Sequence, residues 1–121
     1  MKPDFIAMLF AVRDYAHRQH LAVSGPGSFA AHEALQKFYE PLVDLIDELV
    51  ETCQGRHGLM INIPTVDLGS EAKPVDTIRA TVGWLEEHRA EAFGEDSALQ
   101  NIVDEIVALH LRTIYRLENL Q

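Results

Sequence analysis

The chain has 121 residues, of which 47% are hydrophobic and 24% are charged. This length suits a single compact domain over residues 1–121 and leaves too little chain for a second hydrophobic core. Ten Lys and Arg against nineteen Asp and Glu give a formal charge of −9. A negative field of this size repels nucleic acid and anionic membranes, so we expect neither DNA binding nor membrane association.

Hydropathy and cysteine content limit the cellular context. The longest apolar run, residues 5–12, is far shorter than the roughly 20 residues that a membrane-spanning helix needs, and Asp4 is unlike the start of a secretory signal. The single cysteine, Cys53, cannot form an intrachain disulfide. We therefore expect a soluble, cytoplasmic protein that is stabilised by packing, metal binding or assembly.

The first half of the chain predicts two helices joined by a tight turn. Apolar residues at helical spacing indicate a first helix over residues 3–23. Residues 24–28, Ser-Gly-Pro-Gly-Ser, are typical of a turn. Ser28 is a candidate N-cap for a second helix over residues 29–54, which Gly55 is expected to end.

The second half predicts two further helices after a long connection. Residues 56–73 show no hydropathy period of a helix or strand. Pro74, at a first helical position, is expected to start a helix that ends near Phe93. Ser97 followed by Gln100 resembles a capping box and marks the start of the fourth helix. One long connection between the second and third helices predicts an all-α fold, a ferritin-like four-helix bundle with a crossover connection.

The second helix carries an unusual stripe. A helical wheel at 100° per residue separates a core face from a solvent face. Between them lies a mixed set that neither face requires: His32, Gln36, Tyr39, Val43, Asp47 and Val50, with Glu51 at the polar edge. A second interface would explain this composition.

Four residues of this region are candidate metal ligands. Asp47 and Glu51 are four residues apart on one helix, so their carboxylates can ligate one metal site. His20 and His32 flank the tight turn and can converge in a similar way. His32 and Asp47 are about 22 Å apart along the helix, too far for metal bonds of roughly 2 Å. Two antiparallel copies of the helix across a two-fold axis near Tyr39 would bring each His32 to the other copy's Asp47.

The chain resembles the ferroxidase segment of the Dps-like mini-ferritins in two runs. These are residues 20–32, His-Leu-Ala-Val-Ser-Gly-Pro-Gly-Ser-Phe-Ala-Ala-His, and residues 47–51, Asp-Glu-Leu-Val-Glu. The resemblance implies a ferritin-like bundle with an Fe(II) oxidation centre shared between chains, and a family assembly that is a hollow, iron-storing dodecamer. His20 and His32 would then be ligands in one subunit, with Asp47 and Glu51 from its neighbour.

Iron, or another divalent metal, suits a mixture of imidazole and carboxylate ligands that leaves positions open for an oxidant. The chain departs from the family in being shorter after Glu51, in having Leu21 where the family usually has Trp, and in lacking a basic tail before the first helix. These departures leave open a homo-oligomer smaller than a dodecamer, down to a two-fold dimer, and argue further against DNA binding.

A non-catalytic alternative also explains the stripe. The chain would then be a helical interaction module that uses the same stripe for dimerisation, with no metal or a purely structural one. Taken singly, His20 suits a helix C-terminus, and His110 on the fourth helix is expected to be a buried neutral imidazole with one hydrogen bond. A di-iron centre inside one bundle is not expected, because the chain has no Glu-x-x-His motif.

Overall fold

The computed structural model describes residues 2–58 and 60–121. It consists of four α-helices: α1 (Lys2–Ala22), α2 (Ser28–His57), α3 (Pro74–Phe93) and α4 (Ser97–Asn119). These residues contain no β-strand, which confirms the prediction of an all-helical bundle for this part of the chain. None of the described helices has the combination of length and apolarity needed to cross a membrane.

The helices pack as a four-membered bundle. α1 and α4 each pack closely against both α2 and α3, whereas the backbones of the diagonal pairs, α1 with α4 and α2 with α3, stay further apart within the described residues. Arg56 near the end of α2 donates to Asp96 just before α4. Arg79 near the start of α3 pairs with Glu118 near the end of α4. Both neighbours of α4 are therefore antiparallel to it.

Apolar stripes from all four helices meet in one core. Phe5 at the start of α1 packs edge-on against Phe93 at the end of α3, with 5.0 Å between ring centroids, so these two helices are also antiparallel. Burial of such side chains is the main favourable term in folding. The largest fully buried side chains are Phe5, Ile6, Leu9, Leu35, Phe38, Leu42, Leu49, Ile78, Leu85, Leu99, Ile106 and Leu109.

The connection between α2 and α3 packs along the bundle without helix or strand in its described residues, 60–73. Ile61 is partly buried against the core, and its N–H donates to the Gln54 side chain over 3.0 Å. At the far end, the Tyr15 hydroxyl donates to the Ala72 carbonyl over 3.4 Å. The connection therefore leaves the end of α2 and reaches the second half of α1.

The predicted ends of α2 were wrong. Ser28 is the first helical residue, and the N-cap is Gly27, which has φ 80° and no side-chain cap. Gly55 continues the helix, which ends at Gly58 with φ 70°. Only the second glycine adopts the left-handed conformation that terminates helices, and the ion pair of Arg56 with α4 holds the last turn in place.

The predicted capping box of α4 was also wrong. Asp96 is the N-cap, and its Oδ1 accepts from the N–H of Ala98 over 3.1 Å. The Gln100 side chain does not return to the cap, because its Nε2 donates to the Arg89 carbonyl on α3 over 3.0 Å. Ser97 lies next to an equally good capping residue, and packing against α3 decided between them.

Candidate metal centre

A glycine turn brings the end of α1 against the start of α2. Gly25 and Gly27 have φ values of 89° and 80°, which glycine adopts without steric cost. The Ser28 N–H donates to the Gly25 carbonyl over 3.0 Å and closes the turn. A turn this short places His20, in the last turn of α1, opposite His32, near the start of α2.

The two histidines form a reciprocal pair. Their rings stack with centroids 3.6 Å apart and planes at 21°. The Nδ1 of each ring donates to the main-chain carbonyl of the other residue, and both distances are 2.7 Å. A carbonyl can only accept, so each Nδ1 carries a proton, and a ring in its neutral form then has its lone pair on Nε2. The bond from His32 also satisfies a carbonyl at the helix end that has no helical partner.

The free Nε2 atoms make the pair suitable for a metal. Neither Nε2 has a hydrogen-bond partner in the described part of the chain. Metal-binding histidines commonly donate the other ring N–H to a carbonyl or carboxylate, which fixes the tautomer and the ring orientation. His20 and His32 each have this arrangement, so each ring taken singly is a candidate metal ligand.

Two more aromatic residues extend the pair into a histidine–tyrosine cluster of His17, His20, His32 and Tyr39. Tyr39 stacks on His17 with centroids 4.2 Å apart and planes at 13°. It also meets the ring of His20 edge-on at 5.3 Å and 67°. His20 is only 7% exposed, whereas His17 faces solvent. The cluster therefore extends from an exposed ring, that of His17, to a buried ring, that of His20.

Asp47 and Glu51 lie further along α2, and both are exposed. Fifteen residues of helix separate His32 from Asp47, about 22 Å at 1.5 Å per residue. Among residues 2–58 and 60–121, no group of three or more His, Cys, Asp or Glu side chains is arranged to hold a metal. The structure thus brings the two histidines together and leaves the two carboxylates apart from them, so a site that unites all four requires a second chain.

His32 and Asp47 are about 60° apart around the axis of α2, and the surface that α1 and α2 form on this side is here called the α1–α2 face. Near Asp47 this face has a shallow pocket of about 190 Å³, which is lined by Phe10, Arg13, Val43, Ile46 and Asp47. Phe10 is 45% exposed, and the Nε of Arg13 is buried with no hydrogen-bond partner among the described residues. Sequence reasoning did not place either residue at this surface, although Arg13, seven residues and about 20° around α1 from His20, gave a usable signal.

His110 lies on α4, away from this surface. It is fully buried, its Nδ1 donates to the Ile106 carbonyl over 2.8 Å, and Phe38 meets its ring edge-on at 4.8 Å. Burial lowers the pKa of His110 to about 4, although the bond to Ile106 opposes this effect. The prediction of a buried neutral imidazole with one hydrogen bond is confirmed.

Comparisons with known proteins cover nearly the whole chain. It is 26% identical over 114 residues to a curated protein of Enterobacteria phage T4, described as an uncharacterized 14.6 kDa protein in the mobD-ri intergenic region. This alignment covers 94% of the chain and 85% of the phage protein. No solved structure matches. A family model matches residues 20–117, which include all four predicted ligands, and the chain therefore belongs to DUF5856, described as a family of unknown function.

Proposed function

We propose that the chain is a Dps-like iron-binding protein that oxidises Fe(II) with peroxide or dioxygen at a centre shared between two subunits. His20 and His32 of one subunit bind the iron together with Asp47 and Glu51 of the partner subunit. The observation that carries the proposal is the reciprocal histidine pair. It leaves two Nε2 atoms free at one end of a face whose other end carries the carboxylates.

The helix arrangement supports the ferritin-like part of the proposal. α2 and α3 occupy diagonal corners of the bundle, and both start beside the second half of α1, as the contacts of His20 and Tyr15 indicate. The described part of the connection, residues 60–73, therefore returns along the length of the bundle. Ferritin-like bundles use one long crossover of this kind.

The distribution of ligands supports a two-fold dimer. Two copies of α2 that lie antiparallel across an axis near Tyr39 place each histidine pair over the other copy's carboxylates, which gives two equivalent sites. The same contact covers the exposed ring of Phe10 and the pocket around Arg13. A larger assembly, up to the family's dodecamer, can be built from such dimers.

The proposed ligands have complementary roles. Imidazole and carboxylate together leave open positions on iron where an oxidant can bind. The carboxylates of Asp47 and Glu51 offset the additional positive charge when Fe(II) becomes Fe(III). The Nδ1–carbonyl bonds keep His20 and His32 oriented, because neither ring can rotate without losing its bond.

Stoichiometric Fe(II) and hydrogen peroxide, added to the purified protein, test the proposal directly. We expect ferric absorbance to rise faster than in buffer, and His32→Ala and Asp47→Asn to abolish this increase. The matched controls are His57→Ala and Glu48→Gln, which change exposed residues of the same types on the same helix and should keep the wild-type rate. A wild-type rate equal to that of buffer would refute the proposal.

Mixing the two inactive variants tests whether the site is shared. In a hybrid dimer of His32→Ala and Asp47→Asn, one site lacks both His32 and Asp47. The other site has all of its ligands. Random mixing should therefore restore about a quarter of the wild-type rate. Ligands that all come from one chain give no recovery, and this result would contradict the shared centre.

The exposed Phe10 on the α1–α2 face favours a second candidate, a dimerisation module without catalysis. This candidate predicts a dimer by native mass spectrometry that contains no iron and oxidises none. Replacing Asp47 would then leave every measured activity unchanged. Native mass and metal content of untreated protein separate the two candidates.

A further inference from the structure

We propose that the surface formed by α2 and α4, here called the α2–α4 face, binds a second copy of the chain across a two-fold axis. This contact involves neither a metal nor the histidine pair, so it does not depend on the proposed function. Its basis is the distribution of charge on the face. Cations lie at one half and carboxylates at the other, so two antiparallel copies of the face are complementary.

The first half of the α2–α4 face is a groove with basic side chains. One part of the groove, of about 420 Å³, is lined by Pro41 on α2 and Leu109 on α4. An adjoining part of about 250 Å³ is lined by Phe29 and Leu120. Three cations also line the larger part: Lys37 from α2, with Arg112 and Arg116 from α4. None of the three forms an ion pair with any residue that the structure describes.

Two carboxylates, Glu33 and Glu40, lie among these cations. Cations therefore outnumber carboxylates in the groove by three to two, although the whole chain has a formal charge of −9. Arg112 and Arg116 are four residues apart on α4, and like charges at this spacing repel each other. A negatively charged surface placed over the groove would relieve this repulsion.

The second half of the α2–α4 face is acidic. Asp44 lies seven residues after Lys37, two turns along the same side of α2, and Glu48 follows one turn later. On α4, Glu105 lies two turns before Arg112 in the same way. All three carboxylates are exposed, and within residues 2–58 and 60–121 none of them pairs with a cation. This half therefore lacks the cations that the first half has in excess.

The two halves meet at a level where a two-fold axis can pass. Pro41 and Leu109 line the same groove, so they lie at one level along the bundle. On α2, Lys37 comes four residues before Pro41 and Asp44 three residues after it. An axis that passes Pro41 at a right angle to the helices lays two copies of α2 antiparallel. Lys37 then lies opposite the other copy's Asp44.

The same axis suits α4. Glu105 comes four residues before Leu109 and Arg112 three residues after it, so the rotation puts Arg112 opposite the other copy's Glu105. Such charge pairs set the partner and the register of a contact more than its affinity. Apolar surface adds to the affinity, because Phe29 is 76% exposed and Leu120 is 50% exposed.

The α2–α4 face is separate from the α1–α2 face. Val43, which lines the pocket on the α1–α2 face, is about 120° around α2 from Lys37. The two faces therefore use different sides of α2. The contact proposed here can form with or without the dimer of the proposed function.

Native mass spectrometry of charge-reversal variants tests the inference. Lys37→Glu with Arg112→Glu makes both halves of the face acidic, and Asp44→Lys with Glu105→Lys makes both halves basic. We expect each variant alone to have half the native mass of wild type, because two faces of the same charge repel. An equimolar mixture should regain the wild-type mass in complexes that contain both variants in equal number, since every face then meets its opposite charge.

The matched control is Glu86→Lys with Glu87→Lys, which reverses two exposed charges on α3 and should keep the wild-type mass. Circular dichroism checks that all variants are folded. A monomeric wild type, variants that keep the wild-type mass, or a mixture that does not combine would each refute the contact. A face that binds a different protein instead of a second copy gives no change of mass on charge reversal, and so refutes it too.

The absolute masses keep this inference apart from the proposed function. If the α1–α2 contact also forms, wild type is a tetramer and the charge-reversal variants are dimers. If it does not form, wild type is a dimer and the variants are monomers. The mass halves in both cases, so either contact can fail while the other stands.

Discussion

Two histidine sites of this bundle use the same hydrogen bond in opposite surroundings. At the end of α1, His20 and His32 each donate Nδ1–H to a carbonyl, and neither Nε2 has a hydrogen-bond partner among the described residues. In the core, His110 also donates Nδ1–H to a carbonyl, but its Nε2 is buried and has no partner within residues 2–58 and 60–121. The tautomer is the same in all three residues, so the difference lies in what Nε2 can reach.

This difference separates a structural histidine from a candidate ligand. Nothing polar among the described residues reaches the Nε2 of His110, and burial holds its pKa near 4, so the ring is neutral at pH 7 and fills the core. The His20 and His32 pair lies at a helix end, where His32 is partly exposed and within reach of the proposed second subunit. A buried, unpaired ring nitrogen in the core is therefore weak grounds for a metal site, whereas an oriented pair at a helix end is stronger.

The largest expected effect comes from removing the core histidine. His110→Ala should lower the free energy of unfolding by about 3 kcal/mol, because it leaves a cavity. His110→Leu, which fills most of the volume, should cost less than about 1.5 kcal/mol. His20→Ala removes a hydrogen bond and a buried ring that lies outside the core, and should cost less, about 2 kcal/mol. Urea denaturation at pH 7 measures all three, and a cost of His20→Ala equal to that of His110→Ala would make the pair structural.

The helix boundaries show what local sequence can and cannot decide. α3 runs from Pro74 to Phe93 as predicted, because proline at the start and Gly94 at the end each act within one turn. The start of α4 was mispredicted, since Asp96 and Ser97 are both good caps and a contact of Gln100 with α3 decided between them. Where two adjacent residues are both good N-caps, tertiary packing determines which of them caps the helix.

The candidate site was also predictable from the sequence only in part. The tight turn alone predicted that His20 and His32 converge, and the structure confirms this. Their stacking and reciprocal bonds depend on the conformation of Gly25, which the sequence does not specify. The assignment of Asp47 and Glu51 stays a prediction, because their proposed partners belong to a second chain.

The next effect is the contribution of His110 to the pH dependence of stability. Its folded pKa, about 4, lies below the ordinary value of 6.5. As pH falls below 6.5 the unfolded chain therefore takes up the proton first and stability decreases, until the folded state is also protonated near pH 4. Between pH 7 and 4.5 this residue should cost about 2 kcal/mol.

Comparison with His110→Leu isolates this contribution. Carboxylates titrate in both proteins and cancel in the difference. The pKa of Asp96, for example, is lowered by its bond to Arg56, so its stabilising effect is lost below its ordinary value of 3.8, outside this pH range. Wild type and His110→Leu should differ in the pH slope of their unfolding free energies, and parallel slopes would show that His110 is not buried as described.

The smallest expected effect tests whether the turn controls the pair and not the core histidine. Gly25→Ala should cost about 1 kcal/mol, because φ 89° strains a residue with a Cβ, although that Cβ would meet no atom within 4 Å. Gly55→Ala, inside α2 and equally free of contacts, should instead stabilise the protein by about 0.5–1 kcal/mol. In NMR spectra the imidazole signals of His20 and His32 should shift in Gly25→Ala and stay unchanged in Gly55→Ala, with His110 unaffected in both. If the His110 signals move together with those of the pair in Gly25→Ala, the two histidine sites are coupled through the bundle and the distinction between them fails.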